Sequence, residues 1–246
     1  MKVFLLVRTV FASLVIILSM PLFALVIGIA GERPAAEWAL RTWCRITLAT
    51  SGARLIFREL EPLDRSRSYV FVANHTSNMD VPAILVATPE PIRFIAKREL
   101  SRVPFFGWAA ARMGHVFIDR KDSHGAARAI RRRIDKGMSG IGLFFFAEGT
   151  RSTTDELLPF KKGAAIAALS TGLDCVPIGV AGAREVLAPK GLSLFRPGPI
   201  AVVFGKVISL EGHTLDDRDA LVRAQRAGVE AAVAEARSLV AAARLG

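Results

Sequence analysis

Tyr69-Val70-Phe71-Val72-Ala73 runs directly into Asn74-His75-Thr76-Ser77-Asn78-Met79-Asp80, and this passage from apolar to polar decides how the chain folds. A short, uninterrupted apolar run rich in β-branched and aromatic residues and ending in turn residues predicts a strand buried on both faces, as in a parallel sheet. On a continuous helix five residues turn through about 500°, which would leave His75 and Asp80 roughly 140° apart and unable to meet. A turn must therefore lie between them. Thr76, Ser77 and Asn78 supply turn and capping chemistry, and Pro82 suits the first turn of a helix starting near Val81. This places His75 on a loop and Asp80 at a helix start. A neutral imidazole can take a proton from an attacking hydroxyl while a carboxylate fixes its tautomer and supports the cation that forms. His75 is thus the candidate base and Asp80 its orienting partner; the plainer alternatives are a strand-end histidine and an N-cap.

Three further apolar runs end in the same manner. Ile141-Gly142-Leu143-Phe144-Phe145-Phe146 leads into Ala147-Glu148-Gly149-Thr150-Arg151-Ser152, His115-Val116-Phe117-Ile118 leads into Asp119-Arg120, and a fourth run contains Val176-Pro177-Ile178-Gly179. Helix-period segments separate the strands, over 81 onward, 105–112, 123–136 and 162–170, with a terminal helix from about Leu215. Such alternation predicts an α/β fold, a mixed, largely parallel sheet covered by helices, with polar loops gathered at one edge where such sheets collect ligands.

The ordered set of blocks, His75-x4-Asp80, the Phe117-Ile118-x-Arg120 block, Glu148-Gly149-Thr150-Arg151 and Val176-Pro177-Ile178, resembles the glycerolipid acyltransferase family. The likeness runs over about residues 60 to 210 and is greatest to bacterial 1-acyl-glycerol-3-phosphate acyltransferases. It implies acyl transfer from an acyl-thioester, acyl-CoA or acyl-ACP, to the sn-2 hydroxyl of a lysophosphatidic acid, with no resident cofactor and no metal. It also places the Glu148-Gly149-Thr150-Arg151 block on the glycerol-phosphate side and carries over Arg120 from the family's matching arginine. Another acceptor, a lyso-ornithine lipid or glycerol 3-phosphate, stays open at this point.

Arginine offers a planar fork that meets phosphate oxygens in pairs, so Arg151, then Arg120, then Lys97 just past the Arg93-Ala96 strand, are the candidate phosphate ligands. The competing role for Arg151 is an ion pair with Glu148; Glu148 itself orients an arginine or accepts from the acceptor's hydroxyl. No Gly-x-Ser-x-Gly elbow is present, which argues against a serine hydrolase. Cys44 and Cys175 lie far apart in apolar surroundings, without neighbours at metal spacing, so neither a disulfide framework nor a zinc site is indicated.

A net charge of +11 in 246 residues makes anionic partners expected, and the N-terminus selects a phospholipid membrane rather than nucleic acid among them. Thr9 to Ala30 is 22 residues without a charge, which as helix reaches about 33 Å. Pro21 allows either a straight span or a bent, half-inserted hairpin. Residues 35–51 set Trp38 and Trp43 among Glu37, Arg41 and Arg45, which suits an interfacial helix. The rival is a signal peptide with Lys2 and Arg8 as its basic region and Gly28-Ile29-Ala30 as its cleavage site. Export would separate the enzyme from a cytoplasmic thioester, so the expectation is a membrane segment over 1–52, a catalytic domain over 53–246, and a location on the cytoplasmic side of the cytoplasmic membrane. A basic, non-enzymatic membrane-binding protein accounts for the charge but not for the ordered loops.

Overall fold

The computed structural model describes residues 2–119, 122–137, 140–154, 156–189 and 194–245. In chain order the elements are helices α1 (Lys2–Ala30) and α2 (Pro34–Ser51), strands β1 (Ala53–Glu59) and β2 (Val70–Ala73), α3 (Asp80–Ala87), β3 (Ile92–Lys97) and a 3-10 turn (Arg98–Arg102). There follow α4 (Phe106–Arg112), β4 (Val116–Ile118), α5 (Ser123–Asp135), β5 (Gly142–Phe146), α6 (Gly163–Thr171), β6 (Cys175–Ala181), the short α7 (Ala183–Val186), β7 (Gly198–Phe204) and, after another 3-10 turn, α8 (Arg218–Leu245).

The strands form a seven-stranded sheet in the order β1-β7-β6-β2-β5-β3-β4. Every pairing is parallel except β6 with β7. The expected mixed, largely parallel sheet is therefore present, and β2, β3, β4, β5 and β6 all deliver their C-terminal ends to one edge. Strand alternation divides the side chains between two layers. Phe71, Ala73 and Phe144 pack with Cys44, Leu48, Ala83 and Ile84 of α2 and α3 on one face. Val70, Val72, Leu143 and Phe145 pack with Ala164, Ala168, Leu221 and Val229 of α6 and α8 on the other. Gly179 is required for this second layer: a Cβ there would stand 2.2 Å from the Ala232 carbonyl carbon, so α8 rests backbone to backbone on β6.

The N-terminus is one helix through Pro21, with no break. It runs antiparallel to α2 and is held along its length by the rest of the chain. Arg8 Nε donates to Ser51 O at 3.4 Å, Trp43 Nε1 to Ser19 Oγ at 3.2 Å, Phe195 N to Thr9 Oγ1 at 2.9 Å and Arg112 Nε to Gly28 O at 2.9 Å. Two deeply buried arginines tie the turn and α2 to the sheet side: Arg93 Nη1 meets Glu37 at 2.6 Å and Arg133 Nη2 meets Glu32 at 2.8 Å. Yet the outer face of α1 carries bare apolar side chains, among them Val3, Phe4, Leu18 and Ile29. By length and hydropathy α1 is the one described helix able to cross a membrane.

Candidate active site

His75 lies two residues past the end of β2, flanked by the ends of β5 and β6 because β2 pairs with both. Asp80 opens α3. The turn between them brings the two side chains together: His75 Nδ1 is 2.8 Å from Asp80 Oδ2. The carboxylate is fully buried and accepts two more hydrogen bonds at the same oxygen, from Thr76 N at 2.6 Å and Ser77 N at 2.8 Å. A carboxylate only accepts, so Nδ1 carries a proton, and in the neutral ring Nε2 is the nitrogen with the free lone pair. The ring is 17% exposed, enough for a substrate to reach it. Phe146 stacks on it with centroids 3.9 Å apart and planes at 16°, which fixes the plane of the imidazole. The arrangement holds an oriented imidazole at the mouth of a sheet edge, a geometry that can serve general-base chemistry.

Glu148 turns toward the backbone, away from Arg151. It is buried, and both of its oxygens are taken by backbone: Oε1 by His75 N and Oε2 by Leu158 N, each at 2.8 Å. It thereby clamps the loop that carries His75. Burial pushes its carboxyl above the ordinary carboxylate range, while the hydrogen bonds from His75 N and Leu158 N oppose that shift. Gly149, at φ 71°, adopts the left-handed conformation that closes the turn, with its N–H on Phe146 O at 3.0 Å.

Arg151 does not pair with Glu148. Its Nη1 donates to Asn78 Oδ1 at 2.9 Å, which sets the guanidinium on the rim of the His75–Asp80 loop. Thr150 beside it is exposed. Lys97 ends β3, on the same sheet edge but with β5 between it and β2; it is exposed and paired with Glu99 at 2.9 Å. The structure thus brings Arg151 to the loop and leaves Lys97 at a distance of two strand spacings, roughly 10 Å. Arg120 lies outside the described residues.

Two further residues shape the site. Asn74 Nδ2 donates to Val180 O at 2.9 Å and its Oδ1 accepts from Val180 N at 2.8 Å, so a side chain continues the ladder to β6 where the strand stops. Ser152 N donates to His75 O at 2.7 Å, pinning the other side of the histidine backbone. Their sequence signal is a polar residue directly after an apolar run and a serine directly after Arg151, neither of which specifies a partner. Behind Phe146 and Gly149 lies a cavity of about 720 Å³ between α5 and α6, apolar through Ile95, Ile130, Phe145 and Ala167 and lined also by Lys161 and Lys162.

Residues 54–181 match the family model Acyltransferase. A 1-acyl-sn-glycerol-3-phosphate acyltransferase of Pseudomonas aeruginosa is 30% identical over 186 residues, which is 74% of this chain and 71% of that protein. One from Chlamydomonas reinhardtii is 32% identical over 202 residues, 78% of this chain but 60% of the relative. The chain spans only 40% of the chloroplastic relative from Brassica napus. In three dimensions it is similar to the 1-acyl-sn-glycerophosphate (LPA) acyltransferase of Thermotoga maritima, with a TM-score of 0.78, 25% identity, and coverage of 95% of this chain and 96% of that one.

Proposed function

The chain belongs to the Acyltransferase family, and from that premise we propose that it transfers an acyl group from acyl-CoA or acyl-ACP to the sn-2 hydroxyl of 1-acyl-glycerol 3-phosphate, giving phosphatidic acid and a free thiol. The observation that carries this is the His75–Asp80 pair at 2.8 Å, with Asp80 fully buried and held by two backbone N–H groups. His75 Nε2 takes the proton of the sn-2 hydroxyl as its oxygen attacks the thioester carbonyl. The tetrahedral intermediate collapses, the C–S bond breaks, and the imidazolium returns the proton to the departing thiolate. The acceptor provides the nucleophile, so no serine or cysteine is needed. Asp80 supports the imidazolium, and Phe146 keeps the ring in plane.

Arg151 beside Asn78 is the proposed first ligand of the acceptor's phosphate, with Lys97 of the same edge and, by the resemblance of its sequence block, Arg120 as further cations. The apolar cavity behind Phe146 suits the donor's acyl chain, and Lys161 and Lys162 among its lining suit anionic groups of the donor. The apolar outer face of α1 suits insertion into the cytoplasmic membrane, whence the acceptor arrives. Because α1 is tied to α2 and to Phe195 at its N-terminal end, the pair fits a leaflet-embedded hairpin better than an isolated span.

The test offers purified protein one acyl-thioester with lysolipids of different headgroups and identifies the product. Phosphatidic acid from lysophosphatidic acid, with little product from a lyso-ornithine lipid, is expected. Efficient acylation of a headgroup without phosphate, or no acyl transfer at all, would overturn the proposal.

A further inference from the structure

From the 3-10 turn after β3 into the first turn of α4 the chain exposes five large apolar side chains in nine residues: Leu100 at 42%, Val103 at 39%, Phe105 at 53%, Phe106 at 38% and Trp108 at 46%. Isolated exposed apolar residues are ordinary; a contiguous run is not. The backbone holds one of them outward at a cost. Phe105 is the only described non-glycine residue with positive φ, 61°, in a γ-turn closed by Phe106 N on Pro104 O at 2.6 Å. The run is also docked onto α1. A Cβ at Gly28 would stand 2.1 Å from the Trp108 ring, so the indole lies on the bare backbone of α1. Ala24 and Ile27 share a buried cluster with Ala109 and Met113. Close by in sequence on α1, Leu25, Val26 and Ile29 are exposed, as is Trp38 at the start of α2. Arg98 precedes the run and Arg102 lies within it, and neither closes an ion pair among the described residues.

We propose that residues 98–108 are a second membrane-seating element, an aromatic wedge with a cationic collar that enters an anionic phospholipid monolayer beside α1. This rests on the membrane-surface reading above and adds to it. The apolar surface is continuous with the face of α1, the arginines complement anionic headgroups, and aromatic residues favour that depth. The wedge follows β3 directly, so seating it fixes the height at which the catalytic edge meets the lipid.

The experiment uses the full chain on phosphatidylcholine vesicles with and without phosphatidylglycerol. Trp38→Phe/Trp43→Phe leaves Trp108 as the sole tryptophan, and Trp43→Phe/Trp108→Phe leaves Trp38. Lipids brominated near the headgroup end of the acyl chain are expected to quench Trp108 emission by roughly half. Phe105→Asp/Phe106→Asp should lower turnover of bilayer-embedded acceptor by at least about tenfold, with detergent-dispersed acceptor turned over as in the parent. Arg98→Glu/Arg102→Glu should abolish the gain in binding that phosphatidylglycerol confers. Quenching of Trp38 but not Trp108, or unchanged bilayer turnover in the double-aspartate variant, would overturn the wedge and leave the α1 anchor standing. No quenching of either tryptophan would remove the membrane reading itself.

Discussion

Replacing Asp80 with Asn separates the geometry of the site from its charge. Oδ2 accepts from His75 Nδ1, Thr76 N and Ser77 N at 2.8, 2.6 and 2.8 Å, all on one oxygen, while Oδ1 has only the long 3.4 Å contact from Thr76 Oγ1. An amide can therefore place its oxygen at the Oδ2 position, keep all three bonds and turn its NH₂ toward Thr76. What vanishes is the negative charge beside the imidazolium that forms as the hydroxyl is deprotonated. With charge centres roughly 4 Å apart and an effective dielectric of about 20, that attraction is about 4 kcal/mol. At about 1.4 kcal/mol per decade the expected fall in kcat is about a thousandfold. Thiol release followed with a chromogenic disulfide, at saturating acceptor and donor, measures it, and a melting curve on the same sample verifies the fold. The melting temperature should hardly move, since the three donors stay satisfied. An Asp80→Asn protein that keeps kcat within about threefold would refute the electrostatic role assigned to Asp80.

His75→Ala should lower kcat by about two to four decades with its melting temperature unchanged, the contribution ordinary for a general base; near-normal turnover would exclude His75 as the base. Arg151→Lys keeps the charge but loses the fork, so kcat/KM for the phosphate-bearing acceptor should fall roughly ten- to a hundredfold while the donor's KM holds; an equal loss against a phosphate-free acceptor would make Arg151 structural. Burial, with Arg93 and Arg133 nearby, pushes His115 down to about 3, and its Nδ1 accepts from Phe94 N at 3.0 Å. A depressed histidine contributes stability that is complete above its unfolded value and is lost as pH falls through the window from about 6.5 to about 3, at about 1.4 kcal/mol per pH unit. His115→Asn retains an acceptor for Phe94 N without titrating, so chemical denaturation at a series of pH values should show that slope reduced in the variant. Gly179→Ala drives a Cβ into the α8 backbone and should destabilise the fold by about 1–3 kcal/mol, read as a lower denaturation midpoint.

The sequence alone determined the strands, the helices between them and the edge where the polar loops gather, because those follow from local periodicity and turn chemistry. The same local logic brought His75 and Asp80 together, since five residues and a turn span the contact. Tertiary structure decided what depends on long separations along the chain. Glu148 reads only as a chemical group in sequence, whereas the fold shows its carboxylate holding the backbone of His75, 73 positions away, and of Leu158. Asn74 gains its purpose only from Val180 on β6, 106 positions away. The antiparallel β6–β7 pairing, which carries β1 to the far edge, depends on where a long connection returns rather than on any residue within it. Likewise Pro21 announced a possible break in α1, but packing against α2 and α4 kept one helix. Phe105, Phe106 and Trp108 carry no local signal of exposure, and only the docking of α4 on α1 shows that their side chains stay outside. How far each candidate cation stands from His75 follows from strand order: Arg151 leaves a neighbour of β2, whereas Lys97 leaves a strand one place farther out.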